Sequence, residues 1–326
     1  MHVISIPSVP DAVRRLSIPA SSFGIVLGLN GISSCWRVAH TLWGVPTCVS
    51  EILFTFTTIV WFTLLVGYVS KWLYQRTDAI AEVQHPIHCC FLSLVPISGL
   101  LIGSWVYTWS ATFGVALVSI ACAGQLAFAV YRSGALLRGG RQPTDTTAVL
   151  YLPTVGGNFV SAIALTTIGH ADAASIFFGA GMFAWLALES MLFVRLYNSE
   201  PLLPDLRPTM GLQLAPSVVG AVAYLAVSNG HVDLFFMGLF GYGVLQALLL
   251  LRLTRWLMQP EFTPAYWSFS FGVTAITLAC LQSTAISPPT MLNSFALPLF
   301  AFANLFISAL MLSTLRLLLR GRLFMK

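Results

Sequence analysis

The chain of 326 residues is 57% hydrophobic and only 8% charged, with 16 Lys and Arg against 11 Asp and Glu, for a formal net charge of +5. An ordinary globular domain is about 25% charged, whereas here apolar windows of the about 20 residues that a bilayer-spanning helix needs run from end to end. No soluble domain of useful size remains, and the long Leu, Val and Phe runs also exclude a transmembrane β-barrel, whose segments of about ten residues alternate in polarity.

What remains is an all-α, multi-pass membrane protein. Ten spans are predicted, at about 17–39, 50–73, 86–106, 110–132, 148–169, 174–197, 209–228, 232–256, 264–286 and 291–317. Arg14 and Arg15 precede the first run as they would in a secretory signal. That run is long, however, and leads into SSCWRVAH without a small-x-small cleavage site, so it reads as span one. The basic residues test the count. Arg14, Arg15, Lys71, Arg76, Arg132, Arg138, Arg141, Arg195, Arg207, Arg252, Arg255, Arg316, Arg320, Arg322 and Lys326 all fall at the termini or beside the loops after spans two, four, six and eight. Only Arg37 lies at the other end. By the positive-inside rule both termini are cytoplasmic, and the net charge reports topology without calling for a nucleic-acid partner.

The spans pair into five hairpins, at about 17–73, 86–132, 148–197, 209–256 and 264–317, forming one transmembrane domain over 1–326. Their first helices are richer in proline, glycine and small polar residues than the second ones, although helix eight has Gly238, Gly241 and Gly243 and helix ten has Pro298. Gly24 and Asn30 mark the first span, Ser93 and Pro96 the third, and Pro153 and Asn158 the fifth. Pro216 and Ser217 mark the seventh, and Ser268, Ser270 and Thr274 the ninth. Proline frees a backbone carbonyl, which in lipid must be satisfied by protein or water. The odd helices are therefore expected inside, around a hydrated path, with the bulkier even helices facing lipid. Close helix packing through small residues is the competing explanation for any single position.

Ionisable groups at mid-membrane are few. Glu189, about two turns from the cytoplasmic end of span six, reads either as an ion or proton site or as a structural acid tied to neighbouring helices. His85, His88 and Cys89 could share a helix face, but Pro86 sits among them and no distant ligand completes a zinc set. They read as interfacial residues, and no metal is expected. The six cysteines are scattered and read as small buried apolar groups. With no nucleotide, cofactor or nucleophile motif present, neither a cofactor nor enzyme activity is expected. An inner ring of neutral hydroxyls with a basic mouth suits a channel or transporter, and favours anions.

The motifs SFGIVLGL (22–29), HPIHCCFLSLVPI (85–97), YLPTVGGNFVSA (151–162), MGLQLAPSVV (210–219), GYGVLQALLLLRL (241–253) and WSFSFG (267–272) resemble, in order, the tellurite-resistance/dicarboxylate-transporter family. That family includes the bacterial TehA proteins and the plant guard-cell slow anion channels. The resemblance implies five hairpins around a pseudo-five-fold pore with odd helices inside, in a homotrimer with one pore per protomer. It also implies that small anions pass and that a helix-nine phenylalanine blocks the path. Here that residue is the second Phe of WSFSFG, Phe271, with Gly24 nearby and Phe269 left as a packing residue. The resemblance carries a link to tellurite resistance. A secondary carrier for C4-dicarboxylates or the tellurite oxyanion is the alternative, with Glu189 as its natural coupling group.

Overall fold

A computed structural model describes residues 17–286 and 291–323. Arg14, Arg15 and Lys326, which entered the charge count, lie outside the described residues. Ten long helices follow one another: α1 (Gly24–Trp43), α2 (Thr47–Tyr74), α3 (Leu94–Val106), α4 (Ala111–Leu136) and α5 (Gly157–Thr167), then α6 (Ala171–Asn198), α7 (Ala215–Val227), α8 (Leu234–Arg252), α9 (Ser268–Ile286) and α10 (Asn293–Leu319). Among the described residues nine helical segments are long and apolar enough to cross a membrane. α1 is not one of them, because Asn30, Ser33, Ser34, Arg37 and His40 dilute its apolar character.

Burial divides the helices into two classes. The segments ending in α3, α5, α7 and α9 are 56%, 83%, 78% and 61% buried, whereas α2, α4, α6, α8 and α10 are 17–33% buried. α1 joins the first class, with eleven of its 20 residues buried. The second class turns large apolar side chains outward, Ile52, Phe113, Ile176, Phe183 and Leu305 among them. In water such a surface would aggregate. In a bilayer it is the lipid-facing surface, so the chain is a multi-pass membrane protein.

Local structure separates the same two classes. All five inner segments begin with 3₁₀ geometry, at Ala20–Phe23, His88–Ser93, Ala148–Leu150, Pro204–Gln213 and Pro264–Trp267. None of the five outer helices does. The fifth segment adds a π turn at Leu152–Gly156, around Pro153. A π turn leaves backbone groups off the regular ladder, and Gln125 of α4 answers by donating from Nε2 to the Pro153 carbonyl at 2.7 Å. Gly157 makes room, since a Cβ there would run into the Gln125 side chain. At the first segment the Ala20 N–H donates to Glu82 Oε1 at 2.8 Å, while Lys71 Nζ lies 2.7 Å from Glu82 Oε2. That buried pair ties the short helix Arg76–Gln84 to the end of α2.

The inner helices touch in sequence, α1 with α3, α3 with α5, α5 with α7 and α7 with α9, and α9 packs back on α1. The α1–α9 contact is close because glycines face hydroxyl residues. A Cβ on Gly28 would come within 2.5 Å of Ser270 Cβ, and one on Gly31 within 2.6 Å of Thr274 Cβ. Gly28→Ala is therefore expected to lower the thermal unfolding midpoint of the detergent-purified protein, by overpacking worth about 1–3 kcal/mol. Gly134→Ala, at a helical position with open space around it, should leave the midpoint unchanged or raise it slightly. Equal midpoints for the two variants would contradict the tight α1–α9 contact.

Candidate functional site

Two cavities lie among the inner helices. The larger, about 260 Å³, is lined by side chains from all five of them and by Phe54 of α2. Its polar groups include Asn30, Ser34, Arg37, Thr274 and Gln282. The smaller, about 30 Å³, is lined almost wholly by apolar groups, Leu27, Ile97, Leu152, Leu212 and Pro216 among them, again from all five inner segments. Phe271 and Val219 line both. Phe271 and Val219 thus stand between a chamber that carries several polar groups and a small apolar cavity.

The larger chamber is lined by an arginine held in an ion pair and by an amide with a free donor. Arg37 Nη2 lies 3.2 Å from Glu51 Oε1, and its guanidinium sits 4.3 Å from the Phe54 ring centroid. Trp105 Nε1 donates to the other Glu51 oxygen at 3.2 Å. Asn30 is buried, and its Nδ2 has no protein acceptor.

Four of the sequence-predicted site residues, Phe271, Asn30, Pro216 and Thr274, line these cavities. The others line neither. Gly24 lies beside Trp267, and Pro96 is the nearest neighbour of Gly124 on α4. Pro153 is engaged by Gln125, while Asn158 faces Gly181 of α6 and donates to the Thr154 carbonyl at 2.6 Å. Ser217 faces Gly243 of α8, Ser270 faces Gly28 of α1, and Ser268 donates to the Pro208 carbonyl. Ser93 is fully buried, with no partner for its hydroxyl. These small residues sit where helices approach each other, and most turn their polar atom onto a backbone carbonyl. The cavity residues that chemistry alone did not single out include Leu27, Ile97, Leu212, Val219 and Leu278. Helical phase finds some of them: Phe271, Thr274, Ala275, Leu278 and Gln282 recur on one face of α9.

Glu189 is buried at the junction of α6, α7 and α8 and accepts from five side chains. Trp185 Nε1 at 2.8 Å and Tyr151 Oη reach one oxygen, while Gln213 Nε2 at 3.1 Å, Tyr242 Oη at 2.5 Å and Gln246 Nε2 at 3.2 Å reach the other. Both sides of the group need acceptor oxygens, which a carboxylate supplies and an amide does not. Glu189 lines neither central cavity, yet Tyr151 lines the smaller one, so the cluster reaches that cavity through its ring. His85 and His88 stack with ring centroids 3.9 Å apart, and His85 Nδ1 accepts the Ile87 and His88 backbone N–H groups, both at 3.1 Å. Among the described residues no group of three or more His, Cys, Asp or Glu is arranged to hold a metal ion. All six cysteines are free, and only Cys48 is exposed.

A family model described as a voltage-dependent anion channel, SLAC1, matches residues 17–315. The chain belongs to this anion channel family. Over 317 residues it is 35% identical to the tellurite resistance protein TehA homolog of Haemophilus influenzae, covering 97% of this chain and 95% of that protein. The Arabidopsis thaliana S-type anion channel SLAH3 and guard cell S-type anion channel SLAC1 are each 24% identical over 92% of this chain. The match covers 48% and 56% of those two plant proteins, so the chain spans about half their length. The family comprises anion channels and transporters and not enzymes, in agreement with the reading of the motifs.

In this SLAC1-family chain, the Glu189 cluster joins four segments beside the smaller cavity. Glu189→Gln sets an amide N–H₂ against donors, whereas Tyr242→Phe removes one donor and leaves four. The first variant should lower the unfolding midpoint more than the second, whose loss is that of one hydrogen bond to a charged group, about 1.5–3 kcal/mol. Thermal unfolding in one detergent compares them, and a Glu189→Gln protein as stable as wild type would contradict the structural role.

Proposed function

We propose that the protein is a passive anion channel, one domain of ten helices in five hairpins with pseudo-five-fold symmetry about a central pore, and that Phe271 is its gate. The observation that carries this reading is the position of Phe271 between two cavities that draw their walls from all five inner segments. The closed sequence of contacts from α1 round to α9 supports the five-fold arrangement. The free Asn30 amide and the guanidinium of Arg37, paired on one side with Glu51, give the wide chamber N–H donors for an anion. At Phe271 the wall turns apolar, so an ion has to shed its water to pass, and the ring sets that barrier. A passive route is favoured over coupled transport because Glu189, the natural coupling acid, is engaged by five donors and lines neither central cavity.

Small inorganic anions are the permeant class. Tellurite and C4-dicarboxylates belong to the carrier alternative, and the relative named for tellurite resistance keeps tellurite in that set. The 15-to-1 division of basic residues supports cytoplasmic termini in the inner membrane. A homotrimer with a pore in each protomer follows from the family resemblance.

Phe271→Ala is expected to raise anion current severalfold in voltage-clamped cells, with surface expression matched to wild type. Unchanged current with the protein at the surface would remove Phe271 from the gate. Counterflow in proteoliposomes separates the alternatives, since uptake stimulated by anion on the far side would mark a carrier.

A further inference from the structure

The arginine-rich end carries a cluster that the conduction path does not use. Arg132, near the end of α4, donates from Nη2 to the Pro86 carbonyl at 2.8 Å. Arg141, in the following loop, donates from Nη2 to the Asp145 backbone carbonyl at 2.6 Å. Both charges act on Cys89 and Cys90 at the start of the third span, so the two guanidinium groups share one neighbourhood. Their other donors are unusual. Arg132 Nε and Arg141 Nε and Nη1 are shut off from solvent and have no acceptor. Among the described residues the ion pairs within 4.0 Å are Arg37–Glu51 and Lys71–Glu82, so neither arginine has a carboxylate at that range. Burial first, and then the Arg132 charge, pull the Arg141 pKa down, with Cys90 and Asp145 acting the other way.

Two like charges that act on the same pair of thiols, with three guanidinium nitrogens left without a partner, form an arrangement that a multivalent anion completes. We propose that Arg132 and Arg141 bind a phosphate oxyanion. Phosphate offers several strong acceptor oxygens to the planar guanidinium donors, and its charge relieves the repulsion between them. The lipid surface is within reach, because the neighbouring Val130 and Tyr131 are 65% and 64% exposed, and tyrosine favours the headgroup level of a bilayer. The phosphate is therefore either that of a lipid headgroup or free in solution. Neither arginine lines the cavities around Phe271, so the proposal stands independently of the gate.

The test uses full-length protein in dodecyl maltoside micelles, which contain no phosphate. Thermal unfolding is followed as phosphatidylglycerol, or inorganic phosphate against chloride at matched ionic strength, is added. Wild type should be stabilised, Arg132→Gln and Arg141→Gln should lose at least two-thirds of that shift, and the exposed Arg138→Gln should keep it. A response to phosphatidylglycerol alone assigns the site to a headgroup, and a response to both assigns it to phosphate in either form. No shift in wild type, or equal shifts in all variants, would overturn the site. Should a glutamine variant fail to fold, Arg141→Lys keeps the charge and loses the Nε donor, and it too should show a reduced shift. Native mass spectrometry of wild type after phosphatidylglycerol or phosphate addition gives a second readout, and absence of any retained phosphate-bearing mass counts against the proposal.

Discussion

Hydrocarbon offers no hydrogen bonds, so each departure from a regular helix inside the membrane must be answered by the protein itself. The inner segments depart often, with five 3₁₀ starts and one π turn. Their partners come from neighbouring elements: Gln125 of α4 for the Pro153 carbonyl, Glu82 for the Ala20 N–H, and the Ser268 hydroxyl for the Pro208 carbonyl. One of these partners, Gln125, comes from an outer helix, one from the short helix Arg76–Gln84 and one from α9 itself. Together they let irregular backbone exist in the inner segments, and Glu189 of outer helix α6 accepts from Tyr151 and Gln213 in the same way.

Small residues are the complement of those polar ties. Gly28 and Gly31 let α1 approach Ser270 and Thr274 on α9, and Gly181 and Gly220 receive the Phe159 ring. Close approach matters because there is little hydrophobic force between helices in lipid, so dispersion and hydrogen bonding carry the association. A bundle held this way leaves limited space at its centre, which fits one cavity of about 260 Å³ and another of about 30 Å³.

Nine of the ten predicted spans were legible in the sequence because hydropathy acts over tens of residues, while the polar residues of α1 dilute its apolar character. The inner and outer classes were legible too, since proline, glycine and hydroxyls concentrate in alternate helices. Individual lining residues were less so. Ser217, Ser270 and Asn158 have the chemistry of a wet wall, yet they face Gly243, Gly28 and Gly181 on neighbouring helices. Residue type does not report helical phase. Counting by three and four from Phe271 leads to Thr274, Ala275, Leu278 and Gln282, which do line the larger cavity. Glu189 stood out as an acid, but its five donors come from four segments that only the fold brings together.

The same phase argument bears on how a single ring could control passage. Phe269 and Gly272 flank Phe271 and both are fixed against the seventh segment. A Cβ on Gly211 would lie 2.6 Å from the Phe269 backbone nitrogen, and one on Gly272 would lie 2.9 Å from Leu214 Cβ. The Ser270 hydroxyl is turned onto the Trp267 carbonyl at 2.6 Å, on the face packed against α1. The backbone that carries Phe271 is thereby held from two sides. Moving it means displacing a packed helix, a collective motion of microseconds to milliseconds, whereas a side-chain rotation is far faster. On the proposed reading, a gate at Phe271 would work by the torsion of one ring between two existing cavities, with no need for the inner helices to separate.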